Sequence, residues 1–387
     1  MKISLLKVRE DFDNIFCKSL ENFLSKKFDW NGEVQANMQG EQVFYVNDQL
    51  NVIYPKYIKR ALLTDLIKEY SWSPIWWKRQ LQRIYSFFAI RFPAEKLFSK
   101  GRFSITPAIK NLEKWVFLPG NHSIRVIDFP GNECHVFLKV GFFKGFLEND
   151  FNIRRDFPDL PVPKVYNYSS EKHYYSEDKI LGLPLNRLPN ISERNIALKQ
   201  ARDALQSLYS KTKDYLSSEK YLRELCERLH KNSQLLDNEL SGVVLTVCQK
   251  LKAAAQSYLP DEILVAQSHG DFQDANILKG KDRIYIIDWE YSCVRSIYYD
   301  AFTYELFFRF PQKMLNIYPQ AVQKNQNNHE NITWANDEES SHITGYRYLA
   351  LLEDLDLKVQ ECVSISKITS NESVRTWLKV VYALENL

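Results

Sequence analysis

The sequence predicts an α+β fold: a small antiparallel β region, then a larger helical region, with an extra subdomain in front of both. Three observations carry that expectation. Alternating apolar runs separated by Pro-Gly-Asn turns crowd residues 114–140. Long charged-amphipathic stretches fill residues 193–257. Two short apolar runs around the turn Lys279-Gly280-Lys281-Asp282 then interrupt the helical pattern.

The elements follow in order. Residues 41–46 and 50–55, around Asn47-Asp48, read as a hairpin. Residues 56–103 carry eleven Lys and Arg against Asp65, Glu69 and Glu95, a local charge of +8. Trp72, Trp76, Trp77, Tyr85, Phe87, Phe88 and Phe92 are interleaved there with Lys78, Arg79, Arg83 and Arg91. Such a segment can be a surface that meets anionic lipid or an anionic polymer. It can equally be a helical subdomain with its aromatics packed inward and its bases outside, which is the expectation adopted for this pattern.

Residues 114–118, 124–129 and 134–140 read as three strands, joined by turns at 119–123 and 130–133. Residues 146–157 read as a helix that ends before Pro161-Val162-Pro163. Residues 174–185 read as a strand and linker, with Gly182 permitting a chain reversal. Asn190 and Glu193 form a capping-box-like start to helices near 193–213, 217–234 and 240–257, and Pro260 stops the last. Residues 263–266 read as a buried strand, and 276–278 with 283–287 as a hairpin. The polar run 323–330 has little to bury and reads as a loop. Apolar helical segments near 344–363 and 372–385 close the chain.

The most informative stretch is His269-Gly270-Asp271-Phe272-Gln273-Asp274-Ala275-Asn276, followed by Ile286-Ile287-Asp288-Trp289-Glu290. Phosphoryl transfer to a hydroxyl needs one carboxylate to orient the hydroxyl and take its proton. It also needs an amide oxygen and a second carboxylate to hold Mg²⁺ against the phosphates. Asp271, Asn276 five residues on and Asp288 twelve further supply those groups in that order. The hairpin would bring Asn276 and Asp288 together, with Asp271 in the loop before it.

This pattern resembles the aminoglycoside phosphotransferase and choline kinase-like families, relatives of the protein kinases. Gly270 after the His, and Trp289-Glu290 after the Asp, resemble the small-molecule branch. The resemblance covers roughly residues 113–310. It implies a protein kinase-like two-lobed fold, with an N-terminal extension at 1–112, a nucleotide-binding lobe at 113–180 and a catalytic, acceptor-binding lobe at 181–387. It also implies ATP and Mg²⁺ as cofactors, with Asp271 as catalytic base and Asn276 and Asp288 as metal ligands.

The turn Gly120-Asn121-His122-Ser123 would cover the phosphates, although it holds one Gly where the family shows several. Lys139 would contact the α- and β-phosphates; its other reading is an edge-strand lysine facing water. Glu148 is the carboxylate expected to fix Lys139, with Glu133 and Asp150 as competitors. Backbone groups from Asp178 to Ile180 would meet the adenine. Asp300 is expected to bond to backbone near the catalytic loop. Arg295 is expected at the surface, or reaching a phosphate or an acidic acceptor. Glu290 is read as a structural residue that could also assist a metal.

Composition bounds the rest. With 45% hydrophobic and 26% charged residues, a folded soluble chain is expected. No run approaches the ~20 apolar residues that span a bilayer. The N-terminus turns charged too early for a signal peptide. Cys17, Cys134, Cys226, Cys248, Cys293 and Cys362 form no Cys-x-x-Cys pair and read as reduced thiols, so a cytoplasmic location is expected. A net charge of +3 does not argue for nucleic acid. The leading expectation is a kinase acting on a small-molecule hydroxyl such as that of a sugar or amino alcohol. The alternatives are a kinase of a protein or lipid-linked glycan, and a scaffold that binds nucleotide without turnover.

Overall fold

The computed structural model describes residues 3–56, 58–67, 73, 75–90, 98–99, 101–169, 171, 173–317, 334–336, 340–364 and 371–385. Trp72, Arg91, Phe92 and the polar run 323–330 lie outside the described residues. The chain divides into two compact units, residues 1–197 with 277–287, and residues 198–276 with 288–387.

The first unit is built on one antiparallel sheet of nine strands. They are β1 (Glu33–Ala36), β2 (Gln42–Asn47), β3 (Val52–Pro55), β4 (Gly101–Thr106), β5 (Trp115–Pro119), β6 (Ser123–Asp128), β7 (Glu133–Leu138), β8 (Val165–Ser169) and β9 (Tyr174–Asp178). Their order is β1-β4-β2-β3-β5-β6-β7-β9-β8. The hairpin expected at 41–55 forms, with Tyr45 opposite Tyr54. So do the three strands expected at 114–140, with Phe117 opposite Val126 and Val126 opposite His135. β3 joins β5 where Ile53 faces Phe117. A boundary at residue 112 therefore falls between strands of a single sheet.

Period-two alternation sorts each strand's residues onto two faces. On one face Phe44, Phe103, Phe117, Ile124, Val126 and Phe137 form a core with the N-terminal helices. Those helices are α1 (Ile3–Arg9) and α2 (Phe12–Phe28). α2 repeats apolar residues at helical spacing in Phe12, Phe16, Leu20, Phe23 and Leu24, all buried. Lys26 and Lys27 complement its C-terminal dipole, and Asp29 turns the chain left-handed at φ 53° to end it.

On the opposite face, α3 (Arg60–Leu66) and α4 (Trp76–Ala89) meet the β3 side of the sheet through Leu63, Ile67, Ala89 and Ile90, packed with Val52, Tyr54 and Val116. α5 (Gly145–Asp156) meets the β7 side of that face, where Leu147 joins Cys134, Val136 and Tyr175. A two-residue strand β10 (Leu183–Pro184) pairs with the hairpin Ile277–Lys279 and Ile284–Ile286 in a small second sheet.

The second unit is mainly helical. Helix α6 (Ile191–Thr212) begins in the first unit and continues here, followed by α7 (Ser218–Ser233), α8 (Asn238–Gln256), α9 (Tyr299–Glu305), α10 (Ile343–Ser364) and α11 (Asn371–Glu385). Side-chain caps set two of the starts: Ser217 Oγ accepts from Lys220 N at 3.4 Å, and Asp237 Oδ1 from Leu240 N at 2.8 Å. A three-stranded antiparallel sheet, Asp214–Ser217, Glu262–Ser268 and Cys293–Ser296, delivers the chain to the His-Gly-Asp loop. Among the described residues, no helix is long and apolar enough to cross a membrane.

Candidate functional site

The loop that follows strand Glu262–Ser268 is fixed by its neighbours before any ligand is considered. Asp300, buried in the first turn of α9, accepts from His269 N at 2.6 Å, Gly270 N at 2.9 Å and Tyr209 OH at 2.8 Å. This is the backbone-anchoring role expected from sequence. Gly270 has φ +87°, and a Cβ there would stand 2.3 Å from the Tyr291 carbonyl oxygen, so no other residue fits. His269 is fully buried against Trp289, and its Nδ1 accepts from Asp271 N at 3.2 Å.

Arg295 departs from both of its sequence readings. It is buried, donates to Ser268 Oγ and Tyr291 O at 2.8 Å each, and lies over the Tyr299 ring. Its guanidinium braces the loop from within, because the register Gln267↔Val294 turns Arg295 away from solvent. A sequence shows that a strand alternates, not which phase faces inward.

Asp271 stands at the loop's head. Arg309 Nε reaches its Oδ1 at 2.9 Å, and Gln273 Nε2 lies 2.9 Å from both of its oxygens. Asn276 Nδ2 donates to Asp271 Oδ2 at 3.0 Å and to Asp271 O at 2.9 Å. Burial raises the Asp271 carboxyl above the usual carboxylate range, while the charge of Arg309 and the Gln273 hydrogen bond oppose that rise. Arg309 also meets Glu361 at 2.9 Å and Asp354 at 4.0 Å, and stacks on Tyr291. Burial alone would lower the Arg309 pKa, but Glu361 and Asp271 hold it raised.

The structure thus joins Asp271 to Asn276. The register Ile277↔Ile286 sets Asn276 and Asp288 at the same open end of one hairpin, and Asp288 is left-handed at φ 64°. With Nδ2 turned to Asp271, the oxygen of the Asn276 amide points away from it. An amide oxygen and a carboxylate are hard donors, the chemistry Mg²⁺ selects.

In the first unit the expected pairing of Lys139 with Glu148 is absent. Lys139 is 1% exposed, and its ammonium meets Glu10 Oε1 at 2.6 Å. Glu148 sits in the first turn of α5, 3.4 Å from Lys144. The reason is the strand's alternation. Phe137 and Lys139 point to the α2 side, where Phe23 stacks on Phe137, whereas α5 packs on the Val136 side. Of the competitors, Asp150 is held by Arg154 at 2.7 Å, and Glu133 faces Asp178 across the sheet.

The turn after β5 is closed by Gly120 N to Ser123 O at 2.8 Å, with Asn121 and His122 at its tip. His122 is buried and stacked on Phe146 at 4.1 Å, so its ring is not presented to solvent. Asp178 accepts from Tyr166 OH at 2.5 Å and Lys164 N at 3.2 Å, and spends its own N–H on Lys164 O. Ile180 lies just past the end of β9, partly exposed. A cavity of about 500 Å³ opens beside Lys139, lined also by Ser19, Asn22 and Lys26 of α2 and by Lys144 and His173.

Sequence reasoning missed Arg309 and Glu10. Arg309 carried a signal, a lone cation within the aromatic run Phe307-Phe308-Arg309-Phe310. Glu10 carried none.

No family model matches the chain, and no curated protein matches it in sequence. Solved structures do resemble it. A choline kinase from Streptococcus pneumoniae aligns with 69% of this chain and 91% of its own at 14% identity, TM-score 0.46. A choline/ethanolamine kinase family protein from Mesorhizobium loti aligns with 79% of this chain and 95% of its own at 13% identity, TM-score 0.47. A thermostable mutant of aminoglycoside phosphotransferase APH(4)-Ia aligns with 69% of this chain and 94% of its own at 18% identity, TM-score 0.46.

Proposed function

We propose that the chain is a phosphotransferase that moves the γ-phosphate of ATP to a hydroxyl of a small molecule such as a sugar or amino alcohol. The observation that carries the reading is Asp271, a half-buried carboxylate whose pKa desolvation raises, hydrogen-bonded to Asn276 on a loop that Asp300 locks by two backbone N–H groups.

Asp271 is the base. Its four lone-pair sites face four donor contacts, from Arg309, Gln273 to each oxygen, and Asn276. An entering hydroxyl has to displace one of them. Gln273 is the neutral donor shared between both oxygens, so it is the contact that yields. The acceptor oxygen then bonds to the γ-phosphorus as its proton passes to Asp271, and the bond from that phosphorus to the β,γ-bridging oxygen breaks to release ADP. Arg309 keeps the carboxylate charged until the proton arrives. Asn276 and Asp288 would hold Mg²⁺, which supplies neutralisation of the charge on the phosphates. Lys139 and the Gly120–Ser123 turn are the proposed phosphate contacts in the first unit, and Asp178 to Ile180 the proposed adenine contacts.

Asp288→Ala tests the metal assignment. Calorimetry should find Mg·ATP affinity lost together with turnover. Unchanged affinity with normal turnover would remove Asp288 from the metal site, and wild-type binding without turnover on any acceptor would favour a scaffold.

A further inference from the structure

Helix α4 is built inside out. Successive residues of a helix are about 100° apart. On that wheel Trp76, Trp77, Leu81, Ile84, Phe87 and Phe88 fall within one arc of about 140°, interrupted by Gln80, and each of the six is between 46% and 71% exposed. The opposite side, carrying Tyr85, Ser86, Ala89 and then Ile90, is the side docked on the sheet. The helix thus turns most of its large apolar residues out, while Tyr85 alone of its large rings faces the sheet. This overturns, for Trp76, Trp77, Phe87 and Phe88, the expectation that the aromatics of 56–103 pack inward, whereas Tyr85 meets it. Contiguous exposed faces of this kind mark interaction sites.

The charges identify the partner. Residues 76–89 contain Lys78, Arg79 and Arg83 and no acidic residue. Lys78 is exposed on the flank beyond Tyr85, its ammonium 5.4 Å from the Trp77 ring centroid. Arg83 lies beside Trp76 at the edge of that arc, and Arg79, on the flank behind it, has its Nε tied to Ser73 O at 2.8 Å. Long basic side chains at the edge and on the flanks of an apolar strip reach anionic headgroups while the strip enters the acyl boundary. A second copy of this helix would meet the first with three bases against three. At 14 residues α4 is about 21 Å long, too short to span a bilayer and suited to lying along one.

We propose that α4 docks this protein on the surface of an anionic lipid bilayer, independently of the phosphotransferase reading.

The test is co-sedimentation of the full chain with vesicles of phosphatidylcholine alone, or of phosphatidylcholine mixed with phosphatidylglycerol. Binding is expected to the mixed vesicles only and should weaken with salt. Lys78→Gln with Arg83→Gln should lower partitioning about 30-fold at low salt, as two basic residues at such a surface contribute. Ile84→Glu with Phe88→Glu should abolish it. Both double variants change exposed side chains, so their melting curves should match the wild type. Failure of the wild type to bind mixed vesicles, or unchanged binding by either variant, would overturn the proposal. So would light scattering that finds a dimer which Ile84→Glu with Phe88→Glu converts to monomer, since a second copy would then cover the face.

Discussion

The two units each set an arginine among carboxylates, and the two clusters differ in how their charge closes. In the first unit Arg154 holds Asp150 through both oxygens at 2.7 and 2.9 Å and also holds Glu177, while Tyr175 OH donates to Asp150. Arg125 joins from β6 at 3.5 Å from Glu177. Two cations face two carboxylates, all carried on a helix and strands. In the second unit Arg309 and Lys358 face Asp271, Asp354 and Glu361, two cations against three carboxylates. The surplus negative charge falls in a cluster whose Asp271 sits on a loop with a raised pKa. A charge-balanced cluster on regular elements fixes structure. One left with a spare carboxylate has room for a proton.

The largest expected effect would break the first half of that comparison. Arg154→Met leaves Asp150 and Glu177 buried with only Arg125 to answer them. Removing one partner of a buried ion pair typically costs ~3–5 kcal/mol. Denaturant unfolding should show a loss of that order, and a loss near zero would mean that the cluster is not structural.

Asp271→Asn addresses the second half. It keeps size and shape but takes no proton, so turnover should fall by about two orders of magnitude or more. Single-turnover transfer beside nucleotide titration reads this. Near-wild-type transfer would remove Asp271 as the base, and an equal fall in ATP affinity would recast it as a metal ligand.

Asp300→Ala should be milder. It strips the acceptor from His269 N, Gly270 N and Tyr209 OH, at roughly 1–3 kcal/mol for buried donors left unmet. Hydrogen exchange at His269 and Gly270 should quicken, and unchanged protection would show that the loop is held by other contacts.

The smallest effect sharpens the contrast through pH. A raised carboxyl pKa in the folded state means that Asp271 favours folding at acid pH, and that this contribution is lost as pH climbs through the raised value. Its chemistry runs the other way, since only the deprotonated form accepts a proton. Turnover should therefore rise through the same window. Arg309→Met removes a charge that opposes the rise, so the acid limb of the pH–rate profile should move to higher pH. A limb that stays in place would uncouple Arg309 from Asp271.

How much of this was legible in the sequence depends on distance along the chain. Strands β5 to β7 could be read because alternation and turn residues are local signals. Asp271 and Asn276 could be read because five residues and one loop hold them together. The Glu10–Lys139 pair spans 129 residues and leaves no trace in either neighbourhood. For α4 the sequence showed the aromatics and bases but not which of them face outward, because direction is set by what the rest of the chain can cover. The same holds for Arg295.

The join between β3 and β5 carries a practical consequence for cutting this chain. A fragment starting near residue 113, as the motif-bearing region invites, would lose α1, α2 and β1 to β4 together. The β5 edge would then be bare where Ile53 pairs with Phe117, and Phe117 would lose its ring contacts with Phe16 and Phe44. A flat apolar edge of that kind pairs with other chains. Expression of the region carrying the His-Gly-Asp loop alone should be read with that in mind: aggregation of such a fragment would report a missing neighbour, not a defect of the loop.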